Sequence, residues 1–581
     1  MAFSIVVKLS LLSLLIAFPF VTNSYSAYQL GLYLLYGIVG QGIALCWGKG
    51  GFLPLGQALF FGIGAYISGL MLQNDVGWGL VIVTLFLAIV IPFLLAGVVG
   101  VLVFNRQIGS GPYFSLITLA LALVGFQLAN SQVWLTGGFN GLTGINGLPN
   151  IDSFGSLYFV IVGALVLTTI ILSKIMGSPF GLLLEAVREN EERLQFLGNN
   201  TSWIKAAAFA ISGGIAGLAG AFFAPHQGIV TPQVLGFILS AELVIWTAVG
   251  GRFGLLGPVI GAVLIGFLAS GLRDAFVYWE VIVAFVFILV VLRLPGGIGA
   301  IGVHLSRKIG LNFHSYGEIS ERSRSVPEVD KIITRELKFE EVTITRGSVV
   351  ILDKLSFKIE GLGIQCLIGP NGAGKTSALN ALTGKLEVDS GEISWCGRSL
   401  NNVRPFQTLS LGIGRKFQVP SIFPNLTIRQ NIDLSLWVNR LKRNQLLSMV
   451  PYTWKSDLLE KLEEVFPFIS DKSLIAGSLS VGERQMLDFT MTVLSEPSLV
   501  LLDEPCAGLS KAETETMIKA IADLSKSSKS MFIIVEHDMQ VVELLSDNVL
   551  VMHQGKLIAQ GSLAEIRSNK DVQRVYAGGT K

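Results

Sequence analysis

Apolar residues run through the first half of the chain in blocks too long for a globular core. Blocks near 20 residues, the length that crosses a bilayer as a helix, occupy roughly 4–22, 28–46, 52–72, 79–104, 112–135, 156–176, 204–224, 233–250, 254–272 and 279–298. The fourth is the cleanest, because Val76 to Asn105 carries no charge. The pattern predicts about nine or ten spans. Glycine is dense in 37–69 and 250–272, which predicts helices broken within the membrane. Such breaks persist only where protein or a cavity shields the freed backbone groups. Residues 1–22 read either as a cleaved signal peptide or as a first span. No small-x-small cleavage site precedes Ser24, which favours a retained span.

One polar stretch interrupts the apolar half, from Ser178-Pro179-Phe180-Gly181 to Asn200. Glu185, Arg188, Glu189, Glu191, Glu192 and Arg193 crowd it. Leu182, Leu183, Ala186, Val187, Leu194 and Leu197 recur among them at helical spacing. This predicts a short amphipathic helix outside the bilayer, docked by its apolar face; the alternative is a solvated loop. Beyond Pro295-Gly296-Gly297 the pattern changes again. Residues 304–334 are a polar linker, and from 335 short apolar strands (Gln365–Ile368, Leu499–Leu502, Met531–Val535) alternate with helical periodicity. The expected organisation is an all-α membrane domain over 1–303, a linker over 304–334 and an α/β domain over 335–581.

Composition agrees with this division. Only 14% of the chain is charged, against about a quarter in soluble proteins. Residues 1–300 hold 19 Asp, Glu, Lys and Arg, which leaves 65 of the 84 for the rest. A wholly soluble, disordered, fibrous or disulfide-stapled protein is excluded. A net charge of +2 gives no electrostatic reason to expect nucleic acid as a partner. Cys46, Cys366, Cys396 and Cys506 form no CxxC pair and read as free thiols, as in a reducing compartment.

Chemistry enters with Gly369-Pro370-Asn371-Gly372-Ala373-Gly374-Lys375-Thr376, a P-loop between the strand ending at Ile368 and the helical run that Ser377 opens. Its glycines let backbone N–H groups curl around phosphate oxygens at a helix N-terminus. Lys375 suits the β- and γ-phosphates, and Thr376 suits Mg²⁺. The strand Leu499–Leu502 delivers Asp503 as a second metal ligand and Glu504 as the group that polarises the attacking water. ATP and Mg²⁺ are thus the expected ligands.

These residues resemble the ATP-binding-cassette family. Leu479-Ser480-Val481-Gly482-Glu483-Arg484-Gln485 resembles its signature, Gln418 its Q-loop glutamine and His537 its switch histidine. The resemblance implies that two cassettes sandwich two ATP molecules. Ser480 and Gly482 of one then face the γ-phosphate in the other's P-loop, His537 contacts that phosphate, and Gln418 senses the metal. Three positions depart from the pattern. Arg346 stands nearest to the missing adenine-stacking aromatic, and a guanidinium can take over that stacking. Val481 replaces a glycine, and Ser510 stands where aspartate is usual.

The membrane half is similar to branched-chain amino-acid and urea-type importer permeases. Leu55 to Tyr66, Gly137 to Gly144 and Ala248-Val249-Gly250-Gly251-Arg252 carry that resemblance, with Gly412 to Gln418 and Val575-Tyr576-Ala577-Gly578 in the cassette. Glu185-Ala186 with the later Gly198 resembles the importer coupling motif, which implies coupling roles for Glu185, Arg188 and Glu189. Glu242, in an otherwise uncharged run from Ala206 to Gly251, and Asn130, with Gln127 and Asn140, are candidates for the solute path. The glycine steps shared by 50–65 and 250–265 read either as an internal repeat or as close helix packing.

The implied protein is a fused importer subunit in a bacterial-type inner (plasma) membrane, multi-pass and set in lipid, with its ATPase in the cytoplasm. It would couple ATP hydrolysis to uptake of a small nitrogenous solute: a branched-chain or other amino acid, a short amide, or urea, toward which Ser240 to Gly251 and Trp279 lean. Its implied partners are an extracytoplasmic binding protein and a second permease and ATPase, or a second copy of itself. An ATP-driven exporter and an ATP-gated channel are the competing readings.

Overall fold

The computed structural model describes residues 2–105, 111–275, 277–294, 296–299, 335–438, 441, 445–448 and 456–577. The expected linker at 304–334 lies outside the described residues. The chain divides into two compact units, one within Met1–Arg188, Thr201–Glu318 and Leu446–Val450, the other within Glu189–Asn200, Ile319–Gln445 and Pro451–Lys581.

Each expected apolar block of the first unit is a helix: α1 (Ala2–Val21), α2 (Ser24–Ala44), α3 (Gln57–Leu72), α4 (Trp78–Phe104), α5 (Pro112–Ser131) and α6 (Ser156–Met176). After the amphipathic α7 (Pro179–Phe196) come α8 (Thr201–Gln227), α9 (Phe237–Gly250), α10 (Leu256–Ala275) and α11 (Trp279–Arg293). Among the described residues, six stretches are long and apolar enough to cross a membrane: Ser24–Lys49, Trp78–Phe104, Pro112–Ser131, Ser156–Met176, Thr201–Gln227 and Leu256–Arg273. Gln57–Leu72 and Phe237–Gly250 are apolar but shorter.

For these two the shortening comes from the glycine-rich breaks. α2 ends in a π-helical turn, Leu45–Lys49, and the backbone runs irregularly to Gly56 before α3 begins. Its freed polar groups find partners on α5. The Leu55 N–H donates to Thr118 Oγ1 (3.1 Å), and Ser115 Oγ donates to the Leu53 carbonyl (2.7 Å). An unpaired amide in hydrocarbon costs several kcal/mol, so these two hydroxyls make the break tolerable.

Elsewhere glycine lets backbones touch. A Cβ on Gly64 would stand 2.1 Å from the Gly217 carbonyl, and one on Gly220 would stand 1.9 Å from the Phe61 carbonyl. These contacts bring α3 against α8. α9 and α10 meet in the same way, where a Cβ on Gly250 would lie 1.9 Å from the Gly257 carbonyl. The shared glycine steps therefore serve close packing.

The second unit contains two sheets. β1 (Glu336–Arg346), β2 (Val349–Glu360), β4 (Ser390–Trp395) and β5 (Arg398–Ser399) form an antiparallel sheet in the order β2-β1-β4-β5. β3 (Gly363–Ile368), β6 (Ile413–Lys416), β7 (Leu499–Asp503), β8 (Met531–Val535), β9 (Asn548–His553) and β10 (Lys556–Gly561) form the other, in the order β10-β9-β3-β8-β7-β6. Its strands are parallel except for β10. β3, β7 and β8 are almost wholly buried apolar runs, as parallel strands covered on both faces must be. Leu337, Phe339, Trp395, Leu367 and Ile533 share the core between the sheets.

Gly220→Val should destabilise the protein by about 1–3 kcal/mol by overpacking. Gly163→Val, where a Cβ would meet nothing within 4 Å, should stay within about 0.5 kcal/mol of the parent. Thermal unfolding of the full chain in detergent compares them, and equal melting temperatures would overturn the close-packing reading.

Candidate active site

Parallel pairing fixes where the chemistry sits. Leu367 lies opposite Val535, and Val535 lies opposite Asp503. The chain therefore leaves β3, β7 and β8 at one edge of the sheet. Gly369–Thr376, Glu504 and His537 follow those three exits. The P-loop turns through left-handed backbone at Gly372 (φ +80°) and Gly374 (φ +98°), and Gly374 caps the helix Lys375–Leu382. Lys375 Nζ donates to the carbonyls of Gly369 (2.6 Å) and Pro370 (3.1 Å). Its burial lowers its pKa, while Glu504 and Asp503 oppose that shift.

Glu504 holds φ at +46°, a sparsely populated conformation for a residue with a side chain. Its N–H donates to the Val535 carbonyl (2.9 Å), which secures that geometry. Gln418 Nε2 donates to Glu504 Oε2 (2.8 Å), and His537 Nδ1 stands 3.7 Å from Oε1. Three residues predicted separately from the sequence thus meet at one carboxylate.

Asp503 is buried and accepts a hydrogen bond from Thr376. Its Oδ1 has no partner. Burial raises its pKa, opposed first by Arg415, whose guanidinium is 3.8 Å from Oδ2. Arg415 is itself brought down to about 10 by burial. A hydroxyl, a carboxylate with an unmet oxygen and the Gln418 amide form a hard oxygen donor set that fits Mg²⁺.

Other expected residues lie apart from this cluster. Ser480 caps the helix Val481–Val493, accepting from the Glu483 N–H (3.1 Å) while its own N–H donates to the Glu483 carboxylate (2.8 Å). Gly482 is buried, and a Cβ there would stand 2.2 Å from the Glu513 carboxylate. Ser510 caps the helix Lys511–Ser527, which gives this departure from the usual aspartate a local role. Arg346 ends β1, with its guanidinium on the Glu387 carbonyl (3.1 Å) and near Asp389 (3.5 Å). In the first unit Glu242 is half-buried on α9, and Asn130 donates to the Phe126 carbonyl one turn back (3.2 Å). Gln127 and Asn140 are exposed.

The amphipathic helix is present and bends at Asn190, where the backbone leaves helical geometry. Before the bend, Glu185 pairs with Lys49 and Arg188 (3.5 Å), and Arg188 donates to the Gly48 carbonyl. After it, the segment Glu189–Asn200 belongs to the second unit. There Glu189 Oε2 accepts from Asn425 Nδ2 (2.6 Å), and Phe196 packs edge-on against Phe417 with ring centroids 4.9 Å apart. The sequence places Arg193 within the charged cluster without singling it out; it is 1% exposed and 2.9 Å from the fully buried Asp488. Removing one member of such a buried pair costs about 3–5 kcal/mol. The half-exposed pair Lys385–Glu192 is worth about 1 kcal/mol at most.

Comparison with known proteins identifies the family. Residues 26–292 match a family described as the permease component of a branched-chain amino acid transport system, and residues 352–507 match ABC transporters. The high-affinity branched-chain amino acid transport ATP-binding protein LivG of Salmonella typhimurium is 30% identical over 239 residues, which span 40% of this chain and 93% of LivG.

The chain belongs to the ABC transporter family.

BraF of Pseudomonas aeruginosa, of the same description, is 30% identical over 250 residues, covering 42% of this chain and 97% of BraF. A crystal structure of a nucleotide-free cassette from an ABC transporter aligns at 24% identity over 42% of this chain and 98% of that one, with a TM-score of 0.36. This ABC transporter joins a multi-pass permease and an ATP-binding ATPase in one chain and couples ATP hydrolysis to transport. Its domains work with partner subunits or as a dimer.

Two thiols of the ATPase provide a check on packing. Burial, reinforced by Glu536, pushes Cys506 and Cys366 up to about 12. At pH 8 such a thiol is about 10⁻⁴ thiolate, against about 0.2 for an ordinary cysteine. Maleimide labelling of both at pH 8 should therefore be about a thousandfold slower in the folded protein than after denaturation. Equal rates would contradict the burial described.

Proposed function

We propose that this ABC transporter is an importer subunit that takes up a branched-chain or other small amino acid presented by an extracytoplasmic binding protein. The cassette would lie in the cytoplasm of a cell with a bacterial-type plasma membrane. The observation that carries the catalytic part is the convergence of Gln418 and His537 on the Glu504 carboxylate, beside the P-loop lysine. The solute class rests on the permease family and on what LivG and BraF transport by name.

In this reading the backbone of Gly369–Thr376, extended by Ser377 at the helix start, cradles the phosphates, and Lys375 neutralises them. Arg346 lays its guanidinium beside the base. Thr376, Asp503 and Gln418 would hold Mg²⁺, which would supply charge stabilisation to the phosphates. Glu504 takes a proton from the water whose oxygen attacks the γ-phosphorus. The bond to the ADP oxygen breaks, releasing ADP and phosphate. His537 donates to a γ-phosphate oxygen. Ser480 and Gly482 serve the nucleotide of a second cassette, so the working assembly pairs this chain with another ATPase and permease or with a copy of itself. Glu185, Arg188 and Glu189 belong to the coupling helix. Glu242 and Asn130 stand by the solute path.

Glu504→Gln should bind ATP with little change and lose turnover by about 100-fold or more. The measurement is phosphate release from the purified complex, with any partner ATPase silenced by the same substitution. Unchanged release would remove Glu504 from its role. Uptake into proteoliposomes by the parent complex, with and without its binding protein, tests the rest. Uptake of leucine or valine only with the binding protein supports the reading, whereas urea, short amides or outward transport would redirect it.

A further inference from the structure

The segment Glu189–Asn200 is fastened to the rest of its unit through one buried cation. The Arg193 guanidinium donates to four groups or faces them as an ion pair: the Arg415 carbonyl (2.9 Å), the Asp488 carbonyl (3.1 Å), Thr492 Oγ1 (3.1 Å) and the Asp488 carboxylate (2.9 Å). Arg415 is the penultimate residue of β6, three residues before Gln418. The other oxygen of the Asp488 carboxylate accepts from the Ser421 N–H (3.1 Å), three residues after Gln418. Both ends of the loop carrying Gln418 are thus tied to the same ion pair. Asp488 and Thr492 lie on the helix that Ser480 opens. That helix also holds the loop from the side, since Gln485 Nε2 donates to the Gln418 carbonyl (3.0 Å). Asn190, at the bend, donates to Ser421 Oγ (3.1 Å) and accepts from the Arg193 N–H (3.0 Å).

We propose that Arg193 is the positioning residue through which the segment Glu189–Asn200 sets the place of the Gln418 loop, and so the rate at which Glu504 works. The proposal rests on the roles given above to Gln418 and Glu504. The physical reason is the depth of the pair. A half-exposed contact such as Glu192 with Lys385 absorbs a displacement by swinging two long side chains through water. Arg193 and Asp488 have no water to swing through; the buried Lys416 also attracts the Asp488 carboxylate, but parting the pair leaves the guanidinium without its counter-ion in a dry interior. A shift of the segment therefore moves the strand end, the loop and the helix together. Arginine is required for this, because only a planar fork reaches four acceptors at once; an ammonium meets Asp488 as a point charge and releases the others.

The test uses the full chain with its co-purified partners in lipid nanodiscs. Arg193→Lys keeps the charge beside Asp488 and loses the fork. The expected result is a kcat for ATP about tenfold lower with KM within about twofold, the mark of a geometry needed in the transition state. Backbone amides from Phe417 to Ser421 should exchange hydrogen about tenfold faster, and those of Gly372–Lys375 should be unchanged. Glu192→Gln should change neither. Wild-type kcat and loop exchange in Arg193→Lys would overturn the proposal. So would a rise in KM at constant kcat, or a fall in kcat with the loop's exchange unaltered. If Arg193→Lys does not assemble, Asp488→Asn removes the charge at nearly constant shape and is judged by the same readouts. Should Glu504→Gln retain turnover, the assignment of the base fails by itself, while the exchange of the Gln418 loop still decides for or against Arg193.

Discussion

The parallel register of β3, β8 and β7 is the constraint on which the ATPase site depends. Parallel strands share a direction, so whatever follows each of them emerges at the same edge. With Leu367 level with Val535 and Val535 level with Asp503, a phosphate-binding turn, a carboxylate and a histidine arrive together without further steering. The left-handed backbone at Glu504 is the local cost of aiming a carboxylate from a strand end, and the bond from its N–H to Val535 meets that cost within the same sheet. In the permease unit a different constraint governs. There every backbone polar group must find a partner without water, so α3 begins only after a break stitched by Ser115 and Thr118.

Much of this was legible in the sequence because the chemistry is written in consecutive residues. A P-loop needs its glycines and lysine at fixed spacing. Its place between a buried strand and a helix was visible from periodicity alone. The apolar blocks gave the positions of the membrane helices for a similar reason, since length and hydropathy are local properties. Their lengths were less legible, because where a helix stops depends on whether a neighbour such as Thr118 can accept the freed backbone.

Arg193 was legible as a member of the charged cluster but not as its key residue, for the same physical reason. Beside Glu191 and Glu192 it looks like one more solvated charge. What makes it matter is a carboxylate 295 positions away, and no local pattern carries that distance. The signal that was available was indirect: an apolar face, Leu194 and Leu197, that had to be covered by something. Ser510 shows the converse, where a departure from the family pattern has a local explanation as a helix cap.

The bend at Asn190 has one more consequence. Twelve residues that lie in the middle of the permease sequence are, in space, part of the ATPase. The covalent order and the spatial order of this chain therefore cross. An exchange of ATPase domains between related genes, cut at the change in composition near residue 300, would transplant Asp488 and leave Arg193 behind. The buried pair survives such an exchange only if the cut falls before Arg193 or the incoming ATPase brings its own carboxylate to that place.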